Sequence, residues 1–303
     1  MIKKPYLKDS HPAMQLLALS GIMLASAFVF SLVAMLVLRP FFGIDISREG
    51  AFEDLSDTNV LNAFRTFQFI QVGFGFFLVP SLVFSKLMSW PEENFLRTNT
   101  KPATGLFLIT AVIAVVSIPF INYLVYVNSL FTPADWAPTA EQLEEADILS
   151  TASGIPSLLF ILFAFALVPA VSEEFFFRAV LMRMFFRSSR SMSYSIVFSA
   201  LIFSFMHFQP HYFIPMMLMG ILLGYVFYRT GNIWYSVSLH FLNNALAVIF
   251  TFLSASGRAD KNILSVGSGE DEVIIRTVSM ILSGALIFFL YKKTKGREMK
   301  NLY

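Results

Sequence analysis

Eight stretches of this chain are apolar over lengths that match a lipid bilayer, and nothing else in the sequence restricts the fold so tightly. They lie at roughly 14–38, 66–88, 104–127, 155–180, 193–209, 212–229, 232–253 and 273–291. About 20 mostly apolar residues, wound as a helix, cover ~30 Å of hydrocarbon. In lipid only helices and closed barrels satisfy their own backbone, and the alternation of a barrel strand is absent. The sequence therefore predicts an all-α fold, a polytopic membrane bundle of about eight transmembrane helices.

Composition agrees. Of the 303 residues, 56% are hydrophobic and 14% charged, and Phe alone occurs 35 times. A soluble domain carries more charge than this. The net charge of +2 gives no reason to expect a nucleic-acid partner, and the absence of cysteine excludes disulfides, thiolate metal sites and a cysteine nucleophile. On these grounds the expected partner is the lipid bilayer.

Lys and Arg in short loops set the orientation. Lys3, Lys4 and Lys8 precede the first span, and Lys292, Lys293, Lys295, Arg297 and Lys300 follow the last. Lys86, Arg97 and Lys101 mark one inner loop, and Arg183, Arg187 and Arg190 another. Residues 128–152 hold five carboxylates and no basic group, as an outer loop does. Both termini are thus expected in the cytoplasm, which requires an even number of spans. The first span starts basic and contains Ala25-Ser26-Ala27, similar to a signal cleavage site. It runs on to Leu38, however, and reads as an uncleaved anchor. The segments 39–64 and 128–153 read as small amphipathic pieces at the surface.

Ionisable groups inside spans cost on the order of 3 kcal/mol each and are functional candidates. In "VSEEFFFRAVLMR", Glu174 and Arg178 stand four apart and share a helix face. Glu173 is turned about 100° away, free to face a cavity. The alternative has all three lining the cytoplasmic interface with the arginine snorkelling. "FSFMHF" places Phe203 and His207 at the same spacing, and "SLHFLNNAL" does so for His240 and Asn244. A lone His or Asn in a membrane helix often serves only to hydrogen-bond a neighbour, and His211 is read that way. Taken together, a carboxylate, two imidazoles and an amide on three helices supply what amide hydrolysis needs: a base for water and donors for an oxyanion.

The order Glu173-Glu174-Phe-Phe-Phe-Arg178, Phe203-Ser-Phe-Met-His207, His240-Phe-Leu-Asn-Asn244 resembles the CPBP family of intramembrane proteases. That family includes CAAX prenyl endopeptidases and bacterial relatives tied to bacteriocin processing and self-immunity. The resemblance implies an intramembrane endopeptidase of metallo- or glutamate type, with a peptide or membrane-protein substrate as partner, in a bacterial cytoplasmic membrane. By it, Glu173 activates water with help from His207, and His240 with Asn244 stabilises the oxyanion. Glu174, Arg178 and Phe203 support the site. Residues 154–253 then form the catalytic core, 1–153 supporting helices, and 254–303 a last helix with a basic tail.

No cofactor is required in the favoured reading, although Glu173, His207 and His240 form an alternative ligand set for Zn²⁺. Two other functions use the same residues. One is a non-catalytic immunity or scaffold protein on this fold. The other is a proton-coupled transporter, for which paired, inverted halves are missing. The span boundaries also raise a difficulty, because they put Glu173 near the cytoplasmic side, His240 about 12 Å in and His207 nearer the outer end. These depths meet only if the 155–187 helix is displaced or tilted, or if 193–209 starts later and breaks near Pro210.

Overall fold

A computed structural model of the protein describes residues 5–90, 93–138, 152–260, 263 and 265–296. Among them every regular element is helical. The main helices are α1 (Pro12–Phe42), α2 (Thr58–Met88), α3 (Thr104–Val116), α4 (Ile118–Phe131) and α5 (Ile155–Ser189). They are followed by α6 (Met192–Phe205), α7 (Phe213–Thr230), α8 (Ile233–Ala255) and α9 (Val273–Lys293). Of the two expected surface segments, 39–64 contributes the first turns of α2, and most of 128–153 lies outside the described residues.

All eight apolar stretches are helical. Six belong to helices long and apolar enough to span a membrane, the one at 104–127 is a pair bent by 43° (α3 and α4), and the one at 193–209 is shorter than expected. The bend falls at Ser117, just before Pro119 at the start of α4, where proline cannot continue the hydrogen-bond ladder. α6 ends at Phe205 because Phe208 adopts a left-handed φ of +52° and Pro210 follows. Its 14 residues reach only about 21 Å.

Contacts between the helix ends define two ends of the bundle. At the first, Lys8 donates to Glu93 at 2.6 Å, Arg183 donates to the Phe95 carbonyl, and Asn232 donates to the Thr100 carbonyl at 2.7 Å. Arg229 reaches the Tyr291 carbonyl at 2.9 Å at the same end. At the other end, Phe42, Thr58, Ser153, Ser157 and Ala255 surround one cavity. Among the described residues six helices, or seven with the α3–α4 pair counted as one, are long enough to span a membrane, and α6 is a shorter apolar helix beside them. Lys8 and Thr294 lie at the same end.

Two helices change register where a proline sits inside an apolar run. α2 widens to π-helix over Phe69–Leu78 just before Pro80, and α5 does so over Leu162–Leu167 just before Pro169. Proline lacks the donor for the i−4 carbonyl and its ring clashes there, and a wider turn accommodates both. A third π-stretch, Glu174–Leu181, contains no proline and carries Glu174 and Arg178 of the site. Such local π geometry is frequent at functional sites.

Close packing brings the carriers of the motifs together. Gly220 and Gly224, one α7 turn apart, face α6, and a Cβ on Gly220 falls 2.9 Å from Ala200 Cβ. Only glycine allows this approach, the usual device where lipid supplies no hydrophobic drive between helices. The largest core cluster is rich in phenylalanine and joins Phe77 and Phe84 of α2, Phe175–Phe177 of α5, Phe203 of α6 and Phe227 of α7. On the outside, apolar side chains such as Phe28 and Leu36 of α1 and Ile274 of α9 stand exposed. Exposed apolar faces this extensive mark surfaces made for lipid.

Candidate active site

α5 is where the expected depths are corrected. It does not end near position 180 but continues to Ser189, so Glu173 and Glu174 lie about 24 Å from its end, using a 1.5 Å rise per residue. This moves the carboxylates to the middle of the bundle. α8 starts at a fixed point: Asn232 accepts from Trp234 N at 2.9 Å, Trp234 Nε1 donates to the Thr98 carbonyl, and the Tyr235 hydroxyl accepts from Ala103 N at 2.6 Å. Seven residues further, His240 meets the two glutamates.

The ionic cluster is closely knit. Glu174 Oε1 lies 2.9 Å from Arg178 Nη1 and 3.0 Å from His240 Nδ1, with Glu174 0% and Arg178 1% exposed. The helical pairing read from the sequence is present. An ionised carboxylate only accepts, so His240 carries a proton on Nδ1 and donates it to Glu174. Charges buried this deeply persist only when paired. Arg178 has further support: Nη2 donates to the Gly220 carbonyl at 3.4 Å, and its guanidinium lies 4.6 Å from the Phe203 ring centroid. Cation–π contact adds attraction without adding another charge.

Glu173 is placed differently. Its Oε2 stands 3.9 Å from His240 Nε2, buried and, like Glu174 Oε2, with no hydrogen-bond partner among the described residues, and no arginine pairs with it. An ionisable oxygen left so is costly in a folded interior. The expectation that Glu173 faces an open cavity needs adjustment, since the cavity wall is formed by His240 with Glu173 close behind it.

That cavity encloses about 360 Å³, and its polar lining includes His207, His240, Asn243 and Asn244. His207 lies just past the end of α6, in the turn 206–212, and gives its Nδ1–H to the Phe203 carbonyl at 2.7 Å. This fixes the tautomer and leaves Nε2 as an acceptor. The Phe203 ring lies 4.7 Å from the His207 ring and 5.9 Å, edge-on, from the His240 ring. Phe203 thus touches both imidazoles and the arginine. Asn243 Nδ2 donates to Asn244 Oδ1 at 3.4 Å, leaving the Asn244 amide N–H groups to act as donors. His211 is not part of the lining; its ring packs 4.5 Å from that of Tyr212.

The sequence reading missed Asn128. Buried in α4, it accepts from Ile214 N at 3.0 Å and donates to the Pro210 carbonyl at 2.9 Å, clamping the turn that carries His207. The signal was there: an amide inside an apolar helix is itself a request for a partner. Asn122 makes a similar tie from α4, donating to the Val266 carbonyl at 2.9 Å, and so holds the loop after α8 beside the cavity.

The zinc set fares less well. Among the described residues no three His, Cys, Asp or Glu side chains are gathered to hold a metal ion. Glu173 approaches His240, and His207 keeps Nε2 available while Nδ1 holds a backbone carbonyl, but the three are not gathered around one point. The donor set in this arrangement does not fit a three-ligand site, and no step is derived through one.

Fold and site together define a polytopic membrane protein that keeps a carboxylate–imidazole cluster beside a cavity lined by amides. Residues 155–246, from the start of α5 to the middle of α8, match the family model of type II CAAX prenyl endopeptidase Rce1-like proteins. This match takes in every motif residue and supports the resemblance to CPBP-family intramembrane proteases, and with it endopeptidase activity in general. It covers a little under a third of the chain. No curated protein and no solved structure matches the chain.

Proposed function

We propose that this protein is an intramembrane endopeptidase that cleaves a membrane-associated peptide or protein with a glutamate-activated water. One observation carries the reading: the buried, unpartnered Oε2 of Glu173, 3.9 Å from an imidazole whose other nitrogen is anchored to Glu174. A free carboxylate oxygen is held in place beside the cavity, and an ionised network fixes its neighbour.

In the proposed reaction, Glu173 takes a proton from water and the hydroxide attacks the scissile carbonyl carbon. His207, accepting through Nε2, orients that water. The developing oxyanion is met by an Asn244 amide N–H and by His240, which donates through Nε2 as the imidazolium while its Nδ1–H stays on Glu174, donors set before the charge appears. The tetrahedral intermediate collapses, the C–N bond breaks, and the leaving amine takes the proton back from Glu173. Glu174 and Arg178 position His240 and touch no reacting atom. Contacts of this kind are often long in a free enzyme and tighten around substrate.

The apolar part of the cavity wall, including Ile121, Met216, Met219 and Phe250, suits an apolar side chain next to the scissile bond. A substrate entering from the bilayer fits this lining. The proposed setting is a bacterial cytoplasmic membrane with both termini inside. The test compares new peptide termini in membranes holding wild-type protein and Glu173→Gln. Termini that appear only with wild type support the proposal; identical sets at equal protein levels reject it.

A further inference from the structure

Away from the catalytic cavity, the end of the bundle that gathers Lys8, the 93–100 loop and the end of α5 contains a second cavity of about 630 Å³. Five cations line it, Lys8, Arg97, Arg183, Arg187 and Arg190, against two carboxylates, Asp9 and Glu93. Lys8 and Glu93 pair with each other at 2.6 Å. Arg183 is buried at 6% exposure, and its guanidinium lies over the Phe95 ring at 4.1 Å. A pocket with this excess of positive charge attracts an anion, and guanidinium groups match phosphate oxygens in geometry.

An adjoining cavity of about 610 Å³ shares Asn99 and Thr100 with the first. Its remaining wall is largely apolar, with Leu167 and Val171 of α5 facing Trp234, Val237 and Phe241 of α8. Crossing Asn99 and Thr100, the surface changes from guanidinium to hydrocarbon, which is the profile of an amphiphile. A soluble phosphate uses only the first half. The basic loops also place this end at the cytoplasmic leaflet, where anionic lipids concentrate and basic pockets between helices take their headgroups.

We propose that this end binds an anionic phospholipid, its phosphate among Arg97, Arg183, Arg187 and Arg190 and an acyl chain along the α5–α8 groove. Bound so, the lipid joins the 93–100 loop to the helix that carries Glu173 and Glu174.

The test uses the full-length protein purified in phosphatidylcholine nanodiscs, with phosphatidylglycerol or soluble glycerol phosphate as the added probe. Thermal unfolding and native mass spectrometry read the binding. The expected result is that phosphatidylglycerol is retained and raises the melting temperature, whereas glycerol phosphate does neither. In the Arg187→Gln/Arg190→Asn double variant, binding weakens on the order of tenfold. Both sites are partly or fully exposed, and Asn tolerates the left-handed backbone at 190. An unchanged melting point of that variant in phosphatidylcholine alone establishes that it folds. Equal retention of phosphatidylcholine, unchanged binding in the folded variant, or full stabilisation by glycerol phosphate each overturns the proposal.

Discussion

His240 Nδ1 and Arg178 Nη1 meet on the same oxygen, Glu174 Oε1, at 3.0 and 2.9 Å. One carboxylate, fully buried, therefore sets the direction of the imidazole and neutralises the guanidinium. Removing it strands a buried cation, which costs about 3–5 kcal/mol. Glu174→Gln is expected to lower the melting temperature sharply. Replacing both partners, as Glu174→Gln/Arg178→Met, is expected to cost much less than the sum of the single changes. Thermal unfolding of the four proteins in one detergent measures the coupling.

Asn244 is expected to act as the oxyanion develops, at the attack of water on the carbonyl carbon. Asn244→Ala removes a donor aimed at the oxyanion and should lower kcat about a hundredfold, with KM little changed. Its helix is pinned through Asn232, Trp234 and Tyr235, so folding should be unaffected. Steady-state kinetics on an identified substrate separates this outcome from a binding role, which raises KM.

Gly220 tests the packing that supports the site. A Cβ there meets Ala200 Cβ at 2.9 Å and Ala200 Cα at 3.0 Å, and a backbone atom cannot turn away as a side-chain tip can. Gly220→Val is expected to push α6 from α7, at a cost of about 1–3 kcal/mol. It also shifts the carbonyl that receives Arg178, so activity should fall by more than the loss of folded protein explains. Melting temperature and activity per folded molecule, measured together, check both parts.

Glu93 links the N-terminal segment to the 93–100 loop and gives a pH dependence. Its hydrogen bond with Lys8 holds the carboxyl below the usual carboxylate range, aided by Trp90 N–H and opposed by modest burial. A carboxyl depressed in the folded state contributes stability above its unfolded pKa. That contribution is lost as pH falls through the lower folded value, so the window lies below about pH 4.3. Both partners are partly exposed, which keeps the effect near 0.5 kcal/mol. Melting curves of wild type and Glu93→Gln should differ at pH 7 and converge near pH 3.

Sequence alone revealed the helical membrane class and the grouping of the motif residues, because hydrocarbon thickness and the rarity of buried charge are strong constraints. The Glu174–Arg178 pair was legible for the same reason: four-residue spacing places both on one face. Helix ends were not. α5 runs on past position 180 into Arg183 and Arg187, where polarity suggested a loop, and this extension changed the depth of Glu173. α6 stops early because of the backbone at Phe208 and Pro210, which hydropathy does not register. Asn128 escaped notice because its role depends on a contact between α4 and a turn some eighty residues away.

The most direct test of the chemistry is single-turnover cleavage of a substrate by purified Glu173→Gln. The amide keeps the shape of the side chain but cannot take a proton from water. The expected result is a protein with wild-type melting behaviour and substrate affinity whose cleavage rate falls by at least a hundredfold. Cleavage at the wild-type rate by that folded variant contradicts the account.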